Sequence, residues 1–99
     1  MHVTMIRAKV KRQFVADVET AVKTMFAAID DAQPDGVRYA SSVLPDGETF
    51  VVLLALDDPN ANPLVTVPGF GEYQENLKTW LAGPPTVEPL NVVGSYRLF

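Results

Sequence analysis

An α+β fold, with one antiparallel sheet and two helices packed against it, is what the sequence predicts from three observations. Two segments repeat apolar residues at three- and four-residue steps, and the segments around them are short, apolar and β-branched. A Pro-Asp-Gly turn joins two of those short segments directly. The resulting order is strand, helix, strand, strand, helix, strand.

Residues 2–10, His-Val-Thr-Met-Ile-Arg-Ala-Lys-Val, form the first strand, because β-branched and apolar types dominate and alternate with charge towards Lys9. From Gln13 to Gln33 the period changes. Phe14, Val15, Val18, Val22, Met25, Phe26 and Ile29 make one helical stripe, with Asp17 and Glu19 at the positive end of the helix dipole. Pro34 turns Gln33 away from helical angles and Asp35-Gly36 supplies a turn, so the helix stops there. The second and third strands, 37–44 and 48–56, flank Pro45-Asp46-Gly47; proline pre-sets φ and glycine takes a left-handed conformation on re-entry. The connection over 57–68 carries three of the eight prolines. It is long for so small a domain and is therefore the expected lid of any site. Phe70, Tyr73, Leu77, Trp80 and Leu81 lie at helical spacing, and Gly83-Pro84-Pro85 ends this second helix. Residues 89–99 read as the fourth strand, with Gly94 at a bulge.

This order is the split βαβ arrangement of a ferredoxin-like sandwich, in which right-handed crossovers place both helices on one face of the sheet. No repeat, linker or low-complexity segment interrupts it, so residues 1–99 are expected to form a single domain. The third strand is apolar on both sides. Phe50, Val52, Leu54 and Leu56 face one way and Val51, Leu53 and Ala55 the other, where a solvated face would show polar residues at alternate positions. The fourth strand agrees in part, with Leu90, Val92, Tyr96 and Leu98 on its apolar side. Burying one Val- or Leu-sized side chain contributes about 2 kcal/mol, so several left wet would forfeit much of a marginal stability. A second copy of the chain is the simplest cover, and a homodimer is expected.

Eight Lys and Arg stand against twelve Asp and Glu, a formal net charge of -4. That balance disfavours nucleic acid and anionic membranes as partners, and the third strand lacks the basic and aromatic pattern of RNA-recognition domains. The absence of cysteine excludes disulfides, thiolate ligation and thiol nucleophiles. The longest apolar run, Phe50 to Leu56, is too short to span a bilayer, and residues 1–7 lack the apolar region of a signal peptide; a cytoplasmic protein is expected. His2 is the one histidine, so Ser41, Ser42 and Ser95 have no base for a nucleophile triad. The carboxylates at Asp30, Asp31 and Asp35, and at Asp57 and Asp58, lack calcium-loop spacing and read as solvated surface, so no metal site is expected.

The opening Val3-Thr4-Met5-Ile6 strand, the Phe70 to Leu81 helix and the closing Val92-Val93-Gly94-Ser95-Tyr96 together resemble the dimeric α+β barrel superfamily, over essentially the whole chain. Within it the sequence is similar to small proteins of the antibiotic-biosynthesis-monooxygenase type. The resemblance implies a homodimer of face-to-face ferredoxin-like sheets, with a cavity between sheet and helices in each subunit for a small aromatic or polyketide-like molecule. Some members oxidise such a molecule with dioxygen and no cofactor; others degrade haem, held by a histidine of the second-helix region. Here that region reads Glu72-Tyr73-Gln74-Glu75-Asn76, without a histidine, and no cofactor is expected.

The remaining candidates are amphipathic aromatics and arginines. Tyr39 or Tyr96 would hydrogen-bond the phenolate of an electron-rich aromatic and Arg97 would stabilise its charge, making these three the candidate catalytic residues. Arg7, Arg38, Tyr73 and Trp80 are candidate ligand-binding residues. Tyr73 and Trp80 also suit core packing of the second helix, and the arginines also suit pairing between subunits. Two functions follow from these residues. One is a small-molecule-binding barrel that works as a cofactor-independent monooxygenase. The other is a non-catalytic homodimer that binds a ligand or serves in assembly, a reading motivated by the lack of a compact acid and base pair.

Overall fold

The computed structural model describes residues 1–99. Strands β1 (His2–Lys9), β2 (Val37–Val43), β3 (Thr49–Leu56) and β4 (Thr86–Leu90) and helices α1 (Val15–Ala32) and α2 (Phe70–Trp80) follow the predicted order. The four strands pair antiparallel in the order β2-β3-β1-β4, which is the ferredoxin-like α+β arrangement.

Local chemistry sets the element ends. A 3-10 turn at Arg12–Phe14 leads into α1. The helix closes on Gln33 in a left-handed conformation (φ 47°), its N–H donating to the Ile29 carbonyl at 2.8 Å, with Pro34 preventing continuation. In the hairpin, Gly47 takes φ 73°. The Asp46 carboxylate accepts hydrogen bonds from the Thr49 hydroxyl at 2.6 Å and from the Thr49 and Glu48 amides at 2.8 Å each. Those bonds favour the ionised form and hold its pKa down to about 2. Helix α2 starts after Gly69 in a left-handed conformation. Its end is fastened to β1: the Lys11 amide donates to the Trp80 carbonyl at 2.9 Å, the Ala82 amide to the Lys9 carbonyl at 2.8 Å, and Val10 bridges Leu81.

Register assigns the faces. Directly opposed residues share a side, and Ile6 lies opposite Val52, itself opposite Ser41, while Ala8 lies opposite Phe50 and Tyr39 opposite Leu54. These residues face the helices. Arg7, Arg38, Val51, Leu53, Ala55 and Glu88 therefore face outwards.

Under the helices the core divides in two. Met25, Leu64, Val67, Phe70 and Tyr73 form one buried cluster, and Val10, Val18 and Phe50 the other, with Phe14, Val15, Trp80 and Leu81 packed around the second. The connection over 57–68 belongs to the first cluster. Asn62 Oδ1 accepts from the Leu64 amide at 3.0 Å to start a 3-10 turn, Pro63–Thr66, and Leu64 and Val67 are 1% and 3% exposed. It packs as a core segment and lines no part of the cavity between the helices and the sheet, contrary to its expected role as a lid.

The fourth strand departs most from expectation, running over Thr86–Leu90 and not 89–99. Leu90 pairs with Val3, beyond which β1 offers only His2, so the ladder runs out however strand-like the sequence that follows. Pro89 is tolerated because β4 is an edge strand. Residues 91–99, including Gly94 and its expected bulge, form no strand. The Arg38 guanidinium donates to the Leu98 carbonyl at 2.8 Å. That bond carries the tail from the β4 edge to the β2 edge along the outward row Leu90, Val3, Ala55, Arg38. Ala55 and Val3, in the middle of that row, are 0% and 4% exposed. The chain's own tail thus provides part of the cover that the apolar outer face requires.

Candidate functional site

Between the two core clusters lies a cavity of about 690 Å³. Ile6, Ala8, Phe50 and Val52 form its floor on the sheet, and Val18, Tyr73 and Leu77 its roof on the helices. Its exposed lining residues mark the mouth, with Gln74, Glu75 and Lys78 of α2 on one side and Gly83, Pro84, Pro85 and Val87 on the other. The Val10–Leu81 bridge and the hydrogen bonds beside it fix where the chain leaves α2, and hence where the proline lip stands.

The polar groups inside are few and uncharged. Tyr39 rises from β2, its ring stacked on Phe26 of α1 with centroids 5.3 Å apart and planes at 14°. Tyr73 descends from α2, anchored by Met25, Leu64, Val67 and Phe70. Both line the cavity, as does Ser41, two residues from Tyr39 on the same strand face. Burial raises both phenol pKa values, Tyr73 to about 12 with a smaller contribution from neighbouring Tyr39. No buried side-chain polar atom is left without a hydrogen-bond partner, so neither hydroxyl is sealed in protein without one. At neutral pH both are protonated donors in a mostly apolar chamber. At the mouth, Lys78 and Glu75 pair with each other at 3.0 Å.

The other candidates lie elsewhere. Trp80 packs against the Val10, Val18 and Phe50 cluster and does not line the cavity. Arg7 is exposed on the outer face of β1. Arg38, on the same face of β2, holds the tail. Tyr96 and Arg97 sit in that tail, the guanidinium 5.0 Å over the ring, with Tyr96 79% exposed. The chain therefore brings together Tyr39 and Tyr73 and does not gather the arginines on one rim. His2 opens β1 opposite Leu56, away from the cavity.

Sequence reasoning missed Ser41, Gln74, Glu75, Lys78 and the Gly83–Pro85 lip. Ser41 was recoverable from its two-residue spacing to Tyr39, and Lys78 from its position one residue beyond Leu77 in the apolar stripe of α2. No three His, Asp or Glu side chains converge in a way that would hold a metal ion. No helix is long and apolar enough to cross a membrane.

No protein-family model matches the chain and no curated protein is similar to it in sequence. Solved structures do match in shape. One, from Nitrosomonas europaea and provisionally assigned as an antibiotic biosynthesis monooxygenase, has a TM-score of 0.78 at 18% identity, over 95% of this chain and 100% of that one. Another antibiotic biosynthesis monooxygenase has a TM-score of 0.77 at 14% identity, over 95% and 100%. A mutant of SnoaB, a cofactor-independent oxygenase from Streptomyces nogalater, has 0.69 at 18%, over 97% of each chain. At such identities the likeness carries the fold and not the activity. The chain has the ferredoxin-like fold of the antibiotic biosynthesis monooxygenase structures.

Proposed function

We propose that the protein binds a flat, electron-rich aromatic or polyketide-like molecule in this cavity and works as a cofactor-independent monooxygenase, assembled as a homodimer. One observation carries the reading: the core is divided around a cavity of about 690 Å³. Packed interiors leave few voids larger than a water molecule. A chamber lined by apolar side chains with two convergent phenol donors is what a small-molecule site requires.

Tyr39 and Tyr73 donate hydrogen bonds to an oxygen of the bound phenolate, stabilising its charge in surroundings of low polarity. The apolar walls exclude water from the radical stage. In the reaction a CH2 carbon of the reduced aromatic loses one proton to solvent, which leaves a phenolate whose charge is shared with that carbon, and this anion transfers one electron to dioxygen. Recombination forms a C–O bond, and the hydroperoxide eliminates water to leave a carbonyl. One oxygen atom enters the product and the other departs as water with the two hydrogens of the CH2 group, the substrate itself being the reductant. The fold of SnoaB, a cofactor-independent oxygenase, supports this class of chemistry.

The second reading, a non-catalytic binder, draws support from the phenols themselves. Both are shifted upwards, so neither is a base at neutral pH, and Glu75 at the mouth is the one carboxylate lining the cavity. Oxygen uptake with hydroxylated anthrones and naphthoquinols separates the two. Consumption of one dioxygen per substrate, without added metal or flavin, is the expected result. Saturable binding without uptake favours the binder, and absence of both overturns the cavity assignment.

A further inference from the structure

Helix α2 presents two columns of side chains to the cavity. Successive residues of a helix are about 100° apart, so Leu77 falls close to the line of Tyr73, while Gln74 and Lys78 follow one step round, over the mouth. Lys78 is the one basic residue lining the cavity, in a chain of net charge -4. Glu75 is about 200° round from Tyr73, behind the mouth, and reaches the lysine along the helix surface at 3.0 Å. The two side chains are 72% and 71% exposed. An exposed pair of this kind contributes little and is readily shared with another partner. Glu75 Oε1 takes one of the three ammonium hydrogens, and two remain to donate. Across the mouth, the side chains of Pro84, Pro85 and Val87 hold no polar atom. A flat ring between the two sides therefore meets a smooth wall on one and a cation on the other.

We propose that the ligand is an aromatic acid, held with a phenol oxygen at Tyr39 and Tyr73 and with its carboxylate at Lys78. The inference rests on the aromatic-binding reading of the cavity and deepens it by adding an anionic group and its position. The polar side chains along the cavity form a row of donors, with the hydroxyls of Tyr39, Tyr73 and Ser41 inside and the Gln74 amide and Lys78 ammonium at the mouth. Lys78 stands five residues beyond Tyr73, about 7.5 Å along the helix at ~1.5 Å per residue. Two acceptors on opposite edges of one flat, fused-ring molecule match that layout. A ligand with an uncharged outer edge would cover part of the ammonium and give it no acceptor in place of the water displaced. A carboxylate there supplies the acceptor, with Glu75 retained as the second partner. Lys78 is then a specificity-determining residue, choosing among aromatics that the apolar walls hold equally well.

Titration calorimetry under nitrogen tests this on the full chain, Lys78→Gln and Glu75→Gln. It compares a dihydroxyanthrone with the dihydroxyanthrone carboxylic acid whose carboxyl lies on the ring edge away from the keto group. Both substituted side chains are exposed, so both variants fold. The full chain is expected to bind the acid about fivefold more tightly than the uncharged compound, the return from one partly exposed ion pair, and the preference is expected to shrink at high salt. Lys78→Gln should remove the preference and leave the affinity for the uncharged compound unchanged. Glu75→Gln, which breaks the same pair from the other side, should enlarge it. A pair that only stiffened α2 would respond alike to both substitutions, and that result overturns the proposal. Equal affinities in the full chain, or a preference that survives in Lys78→Gln, also overturn it and leave the cavity standing. Binding of neither compound overturns the aromatic-binding reading, and this inference with it.

Discussion

Leu64→Ala examines whether the connection over 57–68 is anchored, on which the position of Tyr73 depends. Leu64 is 1% exposed and belongs to the cluster that contains Tyr73. Truncating a leucine so enclosed loses the transfer free energy of its methyl groups and leaves a cavity, a cost of about 3 kcal/mol within a usual range of ~2–5. For a domain of this size that is a large share of a total stability of ~5–15 kcal/mol, and it lowers Tm by roughly 12–24 °C. Val65, the next residue, is 69% exposed; Val65→Ala is expected to stay within about 0.5 kcal/mol. Urea unfolding of both variants at one fixed protein concentration, so that any subunit association enters equally, measures the difference. A loss below about 1 kcal/mol for Leu64→Ala, or equal losses for the two, would show that the connection lifts freely from the core and would restore it as a lid.

Further expectations rest on particular hydroxyl and carboxyl groups. Tyr39→Phe and Tyr73→Phe are expected to leave stability at neutral pH nearly unchanged. Each should weaken binding of a hydroxyanthrone about fivefold, the loss of one neutral hydrogen bond of ~1 kcal/mol, as read by titration calorimetry. Because Tyr73 ionises near 12 in the folded chain and its unfolded value is 10.0, the stability it contributes is complete below pH 10 and is lost as pH rises towards 12. Thermal melts across that window should decline less steeply for Tyr73→Phe. Asp46 has the opposite sign. Its folded pKa of about 2 lies below the unfolded 3.8, so its contribution is complete above about pH 4 and is lost as pH falls towards 2. The stability difference from Asp46→Asn should shrink over that interval, and a difference independent of pH would show that the hairpin bonds are not made by the carboxylate.

Elements defined by local chemistry were legible in the sequence. The stripe from Phe14 to Ile29 dictates α1, and Pro34 dictates its end. Pro45-Asp46-Gly47 dictates a hairpin whose register then follows, because a slip by one residue would exchange Phe50, Val52 and Leu54 for Val51, Leu53 and Ala55. What the sequence hid depends on partners distant along the chain. Residues 91–99 have the composition of a strand and differ from β4 only in that β1 has no residues left to pair with them. The prolines of 57–68 suggest a loop, but Leu64 and Val67 find their cluster on α1 and α2, at positions no local pattern reveals.

The same distinction separates the two site residues that converge from those that do not. Tyr39 faces the helices because it lies opposite Leu54, and Arg7 faces outwards because it alternates with Ile6 and Ala8; parity alone settles both. Tyr73 and Trp80, in contrast, share one helical stripe, seven residues apart, and only one reaches the cavity. Trp80 stands where the end of α2 is fastened to β1 through Val10 and Leu81, so its ring is drawn into the Val10, Val18 and Phe50 cluster. Tyr73 stands two turns earlier, where the helix spans the gap between the clusters. An apolar stripe fits a filled core and a divided one equally well. The chamber arises from the angle at which two fastenings, Leu64 beneath the start of α2 and Leu81 beside its end, hold that helix over the sheet.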